Sequence, residues 1–455
     1  MRYPVTLAMN DPANTVDFLS DLLVRAKKAG ADAADALLVE SSGQSATWRL
    51  GKLENVERAE SCDLGLRVLI RSRQAIVSTG DLAPASLARL VEQALAIAQA
   101  VPEDPHAGLA EPDQIARTLP SLDLDDGEEP DTEALARQAA AAEGAALAHP
   151  KISNSEGAEA RWRRARSTLV ATNGFVGTSA RSSHSIGASV IAAANGAMER
   201  DYDYRTVVRA RDLPDPAEIG RQAAERAAAR LNPRKSKSVS VPVVFDPRVA
   251  GSMVRHLASA ISGPAVARGT TFLLDRLGET VFGAGVTIVD DPLRPLGLRS
   301  RAFDAEGILA ERRQLVDAGV LTTWLLDCAS ARQLGLATTG HAVRDVSSAP
   351  APAPTNAYIE PGPLDPKTLM SDIKEGLYVV EMLGMGVNYV TGDYSRGASG
   401  FWIENGEIGW PVSEVTIAGN LAEMFARLTP ADDLEFRYGI DAPTLRIDGM
   451  TVAGQ

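Results

Sequence analysis

The densest group of chemistry-bearing side chains is the run 391–400, where Asp393, Tyr394 and Arg396 set a carboxylate, a phenol and a guanidinium among glycines. Glycine lets backbone amides come close to a partner. Two readings of the run stay open. It is a loop that contacts a peptide or another subunit, since glycine-rich polar loops on rigid sheets often carry contacts. Or it is a structural turn in which Asp393 caps loop amides and Arg396 pairs with a nearby carboxylate. His256 is the other candidate. It follows Val249 and Met253 at helical spacing, which puts it at the margin of an apolar helix stripe. The other histidines, His106, His149, His184 and His341, stand too far apart in sequence to suggest a shared metal. Cys62 and Cys328 permit one disulfide at most and read as small buried residues. Ser371 and Lys374 match Ser-x-x-Lys formally, as chance allows in a chain of this length. There is no phosphate-binding loop, Gly-x-Ser-x-Gly elbow or dinucleotide fingerprint after a strand. The residues therefore nominate no catalytic group and no metal ligand.

These candidates need elements to hold them. Residues 387–391 alternate like a strand, the polar loop follows, and a second strand starts at 401–404. Asn405-Gly406 predicts a tight hairpin with a returning strand over 407–412, because both central residues of that turn take positive φ. Asn420 caps a helix over 421–428, with Glu423 placed to reach back to the cap amide. Asp246-Pro247 starts the helix that carries His256; it runs to 261 and is ended by Gly263, after a strand over 240–245.

Upstream, apolar periodicity predicts helices over 15–29 and 84–101 around strands at 36–40, 46–50, 64–70 and 74–78. The acidic run 121–130 lacks either apolar period and reads as a solvated linker. An alanine-rich helix over 133–148 follows, then strands over 158–172 and 175–182 joined at Asn173-Gly174, with another turn at Asn195-Gly196. Arg161, Arg163, Arg164 and Arg166 are best placed on an exposed sheet face or edge. A helix from Asp215-Pro216 to about 231 ends at a basic connector, 232–237. Asp317-Ala318-Gly319 predicts a hairpin. Alternate prolines in 347–355 deny that segment regular ladder bonds, so it should run extended over the surface. The expected fold is α+β, with a helix-flanked N-terminal part, central antiparallel strands and a C-terminal domain dominated by antiparallel sheet. The expected domains are 1–120, 121–235 and 236–455.

Composition narrows the function. With 455 residues, 45% hydrophobic and 23% charged, the chain has the makeup of a soluble globular protein with several cores. No run approaches the roughly 20 apolar residues of a spanning helix, and the first residues turn polar too early for a signal peptide. Two cysteines suit a reducing cytoplasm. A net charge of −13 opposes nonspecific binding of nucleic acid, which needs clustered cations.

The run VTGDYSRGASGFWIENGEIGWPVSEVTIAGNLAEMF resembles the C-terminal signature of the TldD/PmbA family, once called modulators of DNA gyrase, and specifically its PmbA or TldE branch. The resemblance continues through GTTFLLDRLGETVF (269–282), FDAEGILAERRQLVDAGVLTTWLLD (303–327), SARQLGLATTGHA (330–342) and the terminal MTVAGQ. In the TldD branch a zinc motif, His-Glu-x-x-x-His, stands where this chain has Arg255, His256, Leu257, Ala258, Ser259 and Ala260. A catalytic zinc needs about three protein ligands and an open position, and arginine and alanine cannot supply them. The resemblance thus implies a non-catalytic subunit of a cytoplasmic peptide-degrading complex. Zinc and hydrolysis would come from a TldD-like partner in a heterodimer, and this chain would help hold an extended peptide by strand addition. The alternative is a stand-alone homodimeric binding or regulatory protein of the gyrase-modulator type.

Overall fold

The computed structural model describes residues 12–454. Six strands, β1 (Ala33–Arg49), β2 (Lys52–Ile70), β3 (Arg73–Thr79), β4 (Ile152–Ala171), β5 (Val176–Ala194) and β6 (Ala197–Val207), form one antiparallel sheet in the order β3-β2-β1-β4-β5-β6. Strands from both sides of residue 120 are therefore joined by main-chain hydrogen bonds. The predicted strands 36–40 and 46–50 are one strand, because β2 and β4 pair on either side of the polar stretch between them and hold it in the ladder.

Helices α1 (Pro12–Lys28) and α2 (Pro84–Ala100) bury Leu19, Leu22, Leu90 and Val91 against Leu38, Leu64 and Leu66 at one end of this sheet. Helices α3 (Thr132–Leu147) and α4 (Pro216–Ala229) cover the other end through alanines such as Ala139, Ala142, Ala223 and Ala227. Small side chains let these two helices nearly touch: a Cβ on Gly220 would lie 1.9 Å from the Ala142 carbonyl oxygen.

The acidic run is tied down rather than freely solvated. Asp125 accepts from Arg164 at 2.6 and 2.9 Å, and Asp126 meets His184 at 2.7 Å and the Ala210 amide at 3.0 Å. Arg161 pairs with Glu159 at 2.9 Å, so two of the four sheet arginines are accounted for by ion pairs.

The C-terminal part begins with β7 (Val239–Phe245) and α5 (Pro247–Ala260). Strand β7 pairs in parallel with Glu375–Leu383, which continues antiparallel to Asp393–Glu404 and then to Glu407–Asn420; Leu445–Ala453 flanks β7 on its other side. Thr416–Ala418 also pair with Thr451–Ala453, which closes these five strands into a ring. Asn405 at φ 49° and Gly406 at φ 82° make the predicted hairpin turn, and Ala318 and Gly319 make the other. A smaller sheet contains Ile288–Asp290, Arg313–Asp317 and Ala357–Ile359.

Three local expectations change. The run 391–400 is not a loop: from Asp393 onward it is a strand paired with Glu407–Asn420, and from Gly397 onward it pairs with Glu375–Leu383 as well. Its glycines serve close backbone approach, since a Cβ on Gly400 would stand 1.8 Å from the Tyr378 carbonyl oxygen. Residues 387–391 supply only an isolated bridge between Val387 and Tyr394. Asn420 does cap its helix, accepting from Ala422 at 3.0 Å, but Glu423 pairs with Arg427 instead of closing a capping box.

The two ends of the molecule are locked by a buried ion cluster. Arg67 donates to Asp35 at 2.6 Å within the first sheet, and Arg344 from the C-terminal part meets the same carboxylate at 2.5 Å. All three side chains are almost fully buried. Glu306 lies near this cluster, and burial together with the Asp304 charge pushes its carboxyl up to about 7.

Candidate functional site

Helix α5 organises the site. Asp246 caps it, accepting from the Arg248 amide at 2.9 Å, and Pro247 occupies the first turn where no amide partner is needed. Gly251 lets the helix lie against the smaller sheet; a Cβ there would be 2.6 Å from the Ile440 carbonyl oxygen. Its buried face carries Met253, Val254 and Leu257 into the core of the five-stranded ring.

His256 lies on that buried side and is 8% exposed. Its Nδ1 is 2.9 Å from the Tyr389 hydroxyl, and its ring meets Tyr394 edge-on at 5.7 Å between centroids. Tyr389 is held by its main chain, whose carbonyl accepts from the Phe272 amide at 2.8 Å. Tyr394 and Arg396 are two apart on one strand and so share a face. The Tyr394 hydroxyl donates to the Met382 sulfur at 3.3 Å, and the Arg396 charge acts on it. His256 Nε2, Ser252 Oγ one turn earlier and Arg396 Nε are buried without a hydrogen-bond partner among the described residues.

Electrostatics fixes what this cluster can do. Burial, reinforced by the charges of Arg396 and Arg255, lowers His256 to about 4, so its imidazole is neutral at pH 7. Burial raises the Tyr394 phenol above its ordinary value, against the opposing pull of Arg396. Among the described residues no carboxylate bonds to His256, so they do not form the base-and-orienter arrangement of nucleophilic catalysis. Its orphaned donors and acceptors can hydrogen-bond a neutral or anionic group.

Of the four sequence candidates, His256, Tyr394 and Arg396 converge. Asp393 does not: it is exposed on the opposite face, accepting from the side chains Thr391 Oγ1 at 2.7 Å and Asn420 Nδ2 at 3.5 Å rather than from loop amides. Sequence reasoning missed Tyr389 and Ser252. Ser252 was legible in principle, four residues before His256 on the same helix, whereas Tyr389 reaches the site only through tertiary folding.

The positions aligned with the zinc motif do not fit a metal. Arg255 is a cation facing outward, Ala260 is a fully buried methyl group, and His256, with Nδ1 at Tyr389 and only Nε2 open, would be a single ligand. Among the described residues no three histidine, cysteine, aspartate or glutamate side chains are grouped to hold a metal ion.

A helix-flanked antiparallel sheet joined to a closed strand ring with a helix across it defines an α+β scaffold. Residues 34–98, 125–231 and 238–454 match, in order, domain 1, the central domain and the C-terminal domain of the PmbA/TldA metallopeptidases. The chain belongs to the PmbA/TldD family. It is 40% identical to Metalloprotease PmbA of Escherichia coli O157:H7 over 427 residues, 93% of each chain, and 38% identical to a Metalloprotease PmbA homolog of Haemophilus influenzae over 94% of each. A putative modulator of DNA gyrase from Bacteroides thetaiotaomicron superposes with TM-score 0.89 at 26% identity, covering 98% of this chain and all of that one. TldE from Thermococcus kodakarensis shares the fold, with TM-score 0.86 at 20% identity over 96% of this chain and all of that one.

Proposed function

We propose that this chain is the non-catalytic, TldE-like subunit of a two-chain PmbA/TldD-type metalloprotease that degrades or processes small or unfolded peptides in the cytoplasm. The observation that carries the reading is the replacement of donor side chains by Arg255 and Ala260 on α5, with no metal-binding group gathered elsewhere among the described residues. The relatives are named metalloproteases; this chain shares their family, and among its described residues no three donor side chains are grouped for a metal. Zinc and the hydrolytic water would belong to a TldD-like partner. This chain would hold the peptide, and an open edge suits strand addition: residues 52–63 of β2 pair with β1 on one side only. No helix among the described residues is long and apolar enough to cross a membrane.

The test is zinc content and peptidase activity of the purified chain alone and mixed with a TldD-like chain carrying His-Glu-x-x-x-His, using one unstructured peptide. Zinc and cleavage only in the mixture are expected. Cleavage by this chain alone, in proportion to bound zinc, refutes the proposal.

A further inference from the structure

The outward face of α5 borders a cleft of about 420 Å³, within the range of small-ligand sites. Arg255 and Ser259 line it from the helix, Ser262 from just beyond it, Arg268 from the end of the turn Gly263–Ala267, and Arg299 from a neighbouring loop. Pro352, Ala353 and Pro354 form the opposite wall.

Three features single this cleft out. None of Arg255, Arg268 and Arg299 makes an ion pair or a side-chain hydrogen bond to a described residue, whereas other arginines are partnered, Arg248 with Asp201 at 2.8 Å and Arg230 with Glu381 at 2.5 Å. The nearby carboxylate, Asp441, is already engaged by the amides of Arg437, Tyr438 and Gly439 at 2.8 to 3.0 Å. Burial and then the charge of Arg299 lower Arg255, against the smaller opposing pull of Asp441 and Tyr204. Cations gathered in a concavity with no direct ion-pair partner, in a chain with net charge −13, are arranged for an anion.

The wall decides which anion. Pro352 and Pro354 have no amide hydrogen, and the Ala353 amide donates to the His341 carbonyl at 2.9 Å. The wall thus offers no free main-chain donor, neither for strand addition nor for the cradle of amides that usually receives phosphate. Among the described residues no aromatic ring lines the cleft to stack a nucleobase. What remains is side-chain guanidinium, whose planar fork matches a carboxylate, beside an apolar Pro/Ala surface.

We propose that this cleft binds the carboxylate of an extended acidic peptide. The inference deepens the peptide-holding reading above and rests on it. It assigns Arg255, at the position of the lost metal ligand, to substrate charge.

The experiment is isothermal titration calorimetry of the full chain with four short flexible peptides: glutamate- or glutamine-bearing, each with a free or amidated C-terminus. The glutamine-bearing amide should bind at least roughly ten-fold more weakly than the glutamate-bearing free acid, the worth of one charge-assisted pair. The two intermediate peptides tell a side-chain carboxylate from a terminal one. Arg255→Gln and Arg299→Gln should each cost the acidic peptide about ten-fold and leave the neutral one unchanged. Arg268→Gln should act in the same direction, and Arg163→Gln on the first sheet should do nothing. All these arginines are exposed, so the variants should keep the wild-type circular dichroism. Equal affinity for all four peptides, indifference to the three substitutions, or competition by inorganic phosphate at lower concentration than acetate would each overturn the assignment. Such a failure leaves the partner-dependent hydrolysis test untouched. Conversely, an arginine-dependent acidic preference without any cleavage in the mixture would sink the subunit reading and keep the cleft.

Discussion

Acidification should weaken this fold through His256, and the size of the effect follows from its surroundings. The folded protein holds His256 near 4 against an ordinary value of 6.5, first by burial and then by Arg396 and Arg255. The folded state therefore binds fewer protons than the unfolded chain between those values. The stability contributed by neutral His256 is fully present above pH 6.5 and is lost as pH falls towards 4. The loss amounts to about 3 kcal/mol over the whole window and roughly 2 kcal/mol by pH 5. His256→Gln removes the titration. It should cost about 1 kcal/mol at pH 7.5, where the bond to Tyr389 is weakened, and should equal or surpass the wild type by pH 5.

The assay has two parts. Histidine-selective proton–carbon NMR of a chain with 5 histidines assigns the His256 signal by its disappearance in the variant and follows its midpoint directly. Urea midpoints of both proteins between pH 5 and 7.5, read by several probes because a chain with separate cores need not unfold in one step, measure the linked stability. A His256 midpoint at or above 6, or parallel pH profiles for the two proteins, would show that the imidazole is solvated and the account of the site is wrong.

Other substitutions report on the frame. Asp35→Ala strips Arg67 and Arg344 of their shared carboxylate in a buried position; a loss of about 3 to 5 kcal/mol is expected, visible as a large fall in thermal midpoint. Gly400→Ala places a Cβ 1.8 Å from the Tyr378 carbonyl oxygen, so the strand pair around the site must part and soluble yield should collapse, whereas Gly144→Ala, with open space around it, should fold normally. Burial pushes the Cys62 thiol up to about 11 and Cys328 higher still. Neither should react with a thiol reagent at pH 8 until denaturant is added, and prompt labelling of the native chain would contradict the burial.

Much of this molecule was legible in local sequence. Helices α2 and α5 were readable because cap residues, prolines and apolar spacing act within a few residues. The Asn405-Gly406 hairpin followed from backbone conformations that few other residues accept. The absence of metal ligands at positions 255 and 260 was equally a matter of residue type. Tertiary structure decided what depends on neighbours distant in sequence. Glycines at 397 and 400 signal a loop when read locally, yet they lie in a central strand, and at Gly400 the adjacent backbone needs the space a side chain would take. Asp393 and Arg396 are three residues apart, and strand alternation sent one outward and the other towards His256. The neutrality of His256 comes from burial beneath Tyr389 and Tyr394, and the bare arginine cleft comes from bringing residues 255, 268 and 299 beside 352–354. A charge or a hydrogen bond acts over a few ångströms of space, and only the folded chain determines which residues share them.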